Sequence, residues 1–371
     1  MKSVSPFDRD VVAVLGLPFD VLNMAQAVSR VRQAAFRGQS CFISTPNLNF
    51  VMTARQDHLF RDSVLRSDLS LVDGMPVVWI CKLLGLPIRE RISGPNFFDE
   101  LARHPSPPLK VNFLGGAAGM AQRAHERLNK SSSAGIISVG YVDPGRCSLD
   151  ALNTPQVLET INQSHPDFLI VSVGAQKGQR WIELNRERLH APIVGYFGAV
   201  VNFVAGSIKR APLAWQQSGL EWLWRIKQEP FLWRRYWRDG WQFLSLLATC
   251  VLPLALSLRQ ADAGQEQPGS LICKRGPQGV RLILTGAWRG EGLSLLRHWF
   301  KALQVSETKQ AIVVDLSCTS HVDSRCIGLL MLARGVFGSR FQVEGARPPM
   351  YACFRRHLAG YLFEQPHSSA G

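Results

Sequence analysis

Asp73 closes the apolar run Leu69–Val72 and is followed by Gly74, which puts a carboxylate at a strand end. At a strand end such a group can point into a cleft and take a proton from an attacking hydroxyl. The same Asp-Gly pair also suits a tight turn or a helix cap. Thr45-Pro46-Asn47 offers a hydroxyl and an amide, fit either to hold a hydroxyl-rich ligand or to start a helix. Gly115-Gly116-Ala117-Ala118-Gly119 opens onto a helical pattern and can aim N–H groups at a diphosphate; a plain strand-to-helix turn uses the same glycines. Six of the ten tryptophans lie between Trp215 and Trp241, among Lys209, Arg210, Arg225, Lys227, Arg234, Arg235 and Arg238. Arginine forks onto phosphates, and tryptophan prefers the boundary between apolar and wet surroundings. This segment reads as a surface that meets lipid on one side and phosphate on the other.

Such residues need a scaffold that gathers strand ends. From Val11 to Gly198, candidate strands (Val11–Leu15, Cys41–Ser44, Leu69–Val72, Val111–Leu114, Ile136–Val139, Phe168–Val173, Ile193–Phe197) alternate with helical patterns at Thr53–Arg66, Pro76–Leu84, Met120–Asn129 and Gln179–Leu189. The alternation predicts an α/β fold with a Rossmann-like parallel sheet covered by helices on both faces. Ligands in such folds sit beyond the carboxyl ends of strands, where the loops above fall. No G-x-G-x-x-G follows the first strand, which argues against a dinucleotide-binding dehydrogenase. After Leu258 a polar stretch reads as a linker. A second, smaller α/β pattern follows, with strands Val280–Leu284 and Ala311–Leu316, a helix Gly292–Leu303, and Asp323-Ser324 leading into the apolar run Ile327–Leu332.

The chain of 371 residues has room for two domains, and 46% apolar with 19% charged residues describes a folded protein. A net charge of +14 points to an anionic partner, which charge alone leaves open among nucleic acid, acidic membrane and phosphorylated substrate. The eight cysteines are scattered without a C-x-x-C pair, as expected of reduced thiols in a cytosolic compartment. The first ten residues lack the apolar stretch of a secretory signal. Trp241 to Leu258 holds 13 apolar residues of 18 and no charge. It contains Pro253 and is short against the roughly 20 residues of a spanning helix, so a surface-lying or dipping helix fits better. A buried helix between two domains is the competing reading.

The blocks Thr45-x-Asn47, Asp73-Gly74, Glu90-Arg91-x-x-Gly94, Gly115-Gly116, Ala205-Gly206-x-x-x-Arg210-Ala-Pro212, Gly219-Leu-Glu-Trp222, Arg225, Glu229-Pro230 and Arg234-Arg235-Tyr236 resemble the WecG/TagA/CpsF glycosyltransferases, glycosyltransferase family 26. The resemblance covers roughly Val11 to Arg238. It implies a membrane-associated enzyme that moves a hexose or a derivative from a UDP-sugar to a polyprenyl-diphosphate-linked acceptor, with inversion and without a metal or other cofactor. It implies that Asp73 is the general base, that Thr45 and Asn47 line the site, and that Arg91 meets a phosphate. Arg210, Arg225, Arg234 and Arg235 would then neutralise donor and acceptor diphosphates, with Gly115 and Gly116 beside them. The sequence departs from the family at Gly178, where a glutamine is usual; Gln176 and Gln179 are the neighbours that would reach the same ligand. Asn202 and Asn96 stand where acidic residues are common. These departures bear on donor specificity.

Trp233, Trp237 and Trp241 recur every fourth residue, beside Arg234 and Arg238, a membrane-surface pattern. Pro230 should end a helix over Gln217–Glu229. Ile312-Val-Val-Asp315, Val322-Asp323-Ser324 and Gly328-Leu-Leu resemble a STAS domain over about Ser270 to Phe363, which implies a regulatory phosphosite at Ser324 and a protein partner. As a helix cap, Ser324 would need neither. The expected organisation is a catalytic domain over 1–204, a basic tryptophan-rich membrane appendage over 205–258, a linker over 259–269 and a STAS-like domain over 270–371. The expected setting is the cytoplasmic face of a bacterial inner membrane, in exopolysaccharide or envelope glycan synthesis, with no nucleic-acid partner. A catalytically weakened membrane scaffold is the alternative.

Overall fold

The computed structural model describes residues 5–104, 107–131, 135–230, 233–260, 267–277, 279–306 and 310–364. These form two compact units. One contains residues 22–78 and 89–241; the other contains 5–21, 79–88 and 242–371.

The chain enters through an antiparallel hairpin, β1 (Val11–Val14) and β2 (Leu17–Asp20). Leu15 and Gly16, at φ 49° and 86°, form its turn, the left-handed pair that a two-residue hairpin requires. All eight strand residues are buried, and Arg9 pairs with Asp20 at 2.7 Å inside. Val11–Leu15 is therefore no strand of the parallel sheet, as its apolar run suggests, and it belongs to the second unit.

The first unit is built on β3 (Cys41–Ser44), β4 (Leu69–Ser70), β5 (Leu109–Gly115), β6 (Ile136–Val142), β7 (Phe168–Ser172) and β8 (Ile193–Tyr196). They lie in the order β4-β3-β8-β7-β5-β6, all parallel. β3, β7 and β8 are buried along their whole length, as their unbroken apolar runs require. Phe97 from the helix Gly94–Arg103 stacks on Phe197 at 5.9 Å, and Phe168 meets Phe197 edge-on at 5.6 Å. Ile43, Val111, Phe113 and Ile170 continue that core. Asn47 caps the helix Leu48–Gln56, and Asp57 both ends it and caps the next, His58–Leu65. Two short helices thus replace the single one that the pattern over Thr53–Arg66 predicts. The helix expected over Gln217–Glu229 runs over Glu221–Gln228, because Gly219, at φ 78°, breaks the chain after the short helix Leu213–Gln217.

A long helical run starts at Trp233. Trp233–Leu246 passes through a π-type turn, Leu247–Val251, into Leu252–Gln260. Pro253 explains the turn, since proline has no N–H to give the ladder and crowds the carbonyl four residues back. Tyr236–Leu258, 23 residues, is long and apolar enough to cross a membrane by length and composition. The helix is thus longer than the segment from Trp241 suggests. Trp237 and Trp241 are 66% and 61% exposed, which excludes a buried tryptophan stripe.

The second unit holds a four-stranded sheet, β9 (Ser270–Gly276), β10 (Gly279–Trp288), β11 (Ala311–Val322) and β12 (Phe341–Glu344), ordered β12-β11-β10-β9. β10, β11 and β12 run parallel and β9 antiparallel. The helix Ser324–Phe337 is buried on nearly every side, because the hairpin β1–β2 covers the face that the sheet leaves open. Gly328 makes this possible: a Cβ there would lie 3.1 Å from Val11 Cγ2 and 3.2 Å from its carbonyl oxygen.

Candidate active site

Asp73 lies just past the carboxyl end of β4, beside β3, and its N–H donates to the Pro46 carbonyl at 3.0 Å. The two strand-end loops are thereby tied together. Gly74 is at φ 152°, a backbone conformation that favours glycine, with Asn47 Cβ in ordinary contact range of where its own Cβ would be. The Asp73 carboxylate accepts the Gly94 N–H and is flanked by Arg91, Glu221 and Arg225. Burial pushes its pKa up to about 6; Arg91 lowers it, Glu221 raises it, and Arg225 and the Gly94 N–H lower it again. At neutral pH the group is mostly ionised, yet a stronger base than an ordinary aspartate.

Each arginine beside it already holds an acid. Arg91 pairs with Glu221 at 2.6 Å and Arg225 with Glu229 at 2.8 Å. Burial opposes the Arg225 charge, but Tyr236, Glu229 and Asp73 outweigh it and keep the guanidinium above its ordinary pKa. Arg91 and Arg225, expected to meet phosphates, thus each have an acidic partner as well as the Asp73 carboxylate. Glu221, Glu229 and Tyr236 adjoin this cluster, and motif reading passed over them although they lie within the quoted blocks.

The other expected residues divide. Thr45 Oγ1 donates to the Tyr196 carbonyl at 3.2 Å, and Asn47 Oδ1 accepts the Phe50 N–H at 3.2 Å as the helix cap. Both stay beside the Asp73 loop. Gly115 and Gly116 do not present free N–H groups to a diphosphate. The Gly116 N–H donates to the Ser172 carbonyl at 2.9 Å, that of Ala117 to Asn202 Oδ1 at 3.4 Å, and that of Gly119 to the Asp143 carboxylate. The two glycines instead admit Val173 and Val201, whose side chains would meet a Cβ at 2.4 and 2.8 Å.

Gln179 is not at the cleft. It is buried, accepting from Ser63 Oγ at 3.0 Å and donating to Ser44 Oγ at 2.8 Å, so both ends of its amide are spent in the core. Gln176 is exposed at the rim and donates to Asp57 Oδ2 at 3.2 Å. Gly178 is fixed by Tyr196, whose ring would stand 2.6 Å from a Cβ there. Gly198 admits the Tyr196 hydroxyl in the same way, at 2.6 Å. Tyr196 thus occupies the carboxyl end of β8 at the expense of any side chain at 178.

Arg210 donates to Asn96 Oδ1 at 2.9 Å and pairs with Asp99, with its guanidinium 4.9 Å over the Phe203 ring. Arg234 is exposed and lies 5.7 Å over the Trp233 ring; the side chain of Arg235 lies outside the described residues. In the second unit Asp323, not Ser324, caps the helix, accepting the Cys326 N–H at 2.7 Å. Ser324 Oγ turns inward and donates to the Ala13 carbonyl at 2.8 Å, so the hydroxyl expected as a phosphosite is engaged by the hairpin. Among the described residues no group of three or more His, Cys, Asp or Glu is arranged to hold a metal ion.

The family model described as "Glycosyl transferase WecG/TagA/CpsF family" matches residues 12–255. Similar proteins include an N-acetylglucosaminyldiphosphoundecaprenol N-acetyl-beta-D-mannosaminyltransferase of Bacillus spizizenii, 28% identical over 54% of this chain and 76% of its own. Proteins of the same name from Staphylococcus aureus strains MW2 and NCTC 8325 are each 26% identical. The matches cover 61% and 58% of this chain and 87% and 83% of theirs.

Proposed function

Because the chain belongs to the WecG/TagA/CpsF family and is a glycosyltransferase, we propose that it transfers a sugar from a UDP-sugar to a polyprenyl-diphosphate-linked acceptor, with Asp73 as the base. The observation that carries this reading is a half-buried carboxylate at a strand end whose pKa is raised to about 6. As the acceptor hydroxyl attacks the anomeric carbon, Asp73 takes its proton and the carbon–oxygen bond to UDP breaks. One displacement inverts the anomeric centre. The Gly94 N–H orients the carboxylate, and Arg91 and Arg225 keep it ionised against the cost of burial. N-acetylmannosamine, named in the relatives, is the first donor sugar to test, with an N-acetylglucosaminyl diphosphate lipid as acceptor. The reading requires no metal.

The exposed stripe of Trp237, Trp241, Leu244, Leu252 and Leu256 supports attachment at a membrane surface, on the cytoplasmic face, where such a lipid presents its sugar. Parallel β10–β12 with an antiparallel β9 supports the STAS-like reading of the second unit as a partner-binding module. The decisive experiment is transfer from UDP-N-acetylmannosamine by Asp73→Asn. The expected result is a fall in kcat of about 10²-fold or more with the fold intact. Undiminished transfer would remove Asp73 from the mechanism.

A further inference from the structure

One turn along the helix Gly94–Arg103 from the Asp73 contact, the first unit contains a cavity of about 440 Å³. Small-ligand sites are commonly about 300–1,000 Å³. Its wall is divided. Pro95, Phe98, Val200, Phe203 and Val204 supply an apolar side, and Arg127, Lys209 and Arg210 a cationic one. Asp99 is the acid among the lining residues, and it pairs with Arg210. Two positive charges are therefore left over. Among the described residues neither Arg127 nor Lys209 has an acidic partner, in contrast to Arg91 and Arg225 at the base.

The cationic side lies along the turn at Gly206. Gly206 is at φ 75°, and the Arg127 guanidinium lies over it where a Cβ would stand. Lys209 is fixed through its backbone: its N–H donates to Gln228 Oε1 at 2.8 Å, and its carbonyl accepts Trp224 Nε1 at 3.1 Å. Arg127 thus lies over the Gly206 turn and the Lys209 backbone is tied to the tryptophan-rich segment, with both side chains exposed. The same segment exposes Trp222 and Leu223.

We propose that this cavity is a diphosphate subsite, with Arg127 and Lys209 on the phosphates and Phe98 and Phe203 against the first units of a prenyl chain. The reading rests on the proposed transfer, which involves two organic diphosphates, UDP and the lipid-linked acceptor. The apolar wall favours the lipid.

The test is calorimetric titration of the full chain with farnesyl diphosphate and, separately, with UDP. Arg127→Gln combined with Lys209→Gln should weaken farnesyl diphosphate at least tenfold and leave UDP within twofold. Phe203→Ala should weaken farnesyl diphosphate and not inorganic pyrophosphate. UDP binding retained by a variant shows that it is folded. Loss of UDP binding by folded variants, checked by circular dichroism, with farnesyl diphosphate unaffected would make this a nucleotide site and overturn the assignment to lipid. Unchanged binding of both would overturn the site itself. These titrations read no transfer, so they stand or fall apart from Asp73→Asn.

Discussion

At the scale of the residue, Asp73 is a carboxylate held where its charge is costly. Its folded pKa of about 6 lies above the ordinary 3.8. Below pH 3.8 the group is neutral in both folded and unfolded chains and costs nothing. The cost grows with rising pH and is complete above about 6. Asp73→Asn should therefore be more stable than the natural chain at pH 7.5, by about 1–3 kcal/mol, with the difference gone at pH 3.5. Denaturant titration at the two pH values measures it. Activity has the opposite dependence, because transfer needs the ionised form: kcat/KM should fall as pH drops through about 6. Glu221 raises that value and Arg91 lowers it. Glu221→Gln should accordingly move the acid limb downward and Arg91→Gln upward. A pH–rate profile for each variant would show it, and shifts of the same sign would contradict the electrostatic account.

At the scale of the element, the parallel strands were legible because strands buried on both faces are unbroken apolar runs bounded by turns. Asp73, Thr45 and Asn47 followed from that, since loops after such strands share one edge. The hairpin was not legible: Val11–Val14 is as apolar as any central strand, and its Leu-Gly turn lacks the Asn or Asp that usually marks one. Gln179 was misplaced for a related reason. A glutamine satisfied by Ser44 and Ser63 in a core reads, in sequence, like one waiting for a ligand. The helix from Trp233 could be read in its exposed stripe but not in its length, which the π-type turn at Pro253 preserves. Trp237→Ala with Trp241→Ala should lower association with anionic lipid vesicles about tenfold or more and leave UDP binding unchanged. Vesicle sedimentation checks this; undiminished sedimentation would remove the helix from the membrane.

At the scale of the whole molecule, the two compact units do not follow the order of the chain. The module expected to begin at Ser270 also takes in residues 5–21 and 79–88. The hairpin is fixed to it through Ser324, by Tyr361, whose hydroxyl donates to the Gly16 carbonyl at 3.1 Å, and by Arg325, which pairs with Asp10 at 3.0 Å. Deleting residues 1–21 should uncover the helix Ser324–Phe337 while leaving the six-stranded sheet closed. Hydrogen exchange should rise tenfold or more in 311–337 and remain unchanged in 109–115 and 168–172. Equal loosening of both would show that the hairpin serves the whole chain.

The bond from Ser324 to Ala13 spans 311 positions. A ribosome adding about 5–20 residues per second leaves β1 and β2 without their partner for roughly 15–60 s. Throughout that interval two short, mostly apolar strands, with Asp20 as their one charged residue, lack the helix that covers them. The helix Ser324–Phe337 is thus completed by strands made long before it. Those strands should call on a holding chaperone while they wait, and a bulky group inserted just before β1 should compete with that late closure.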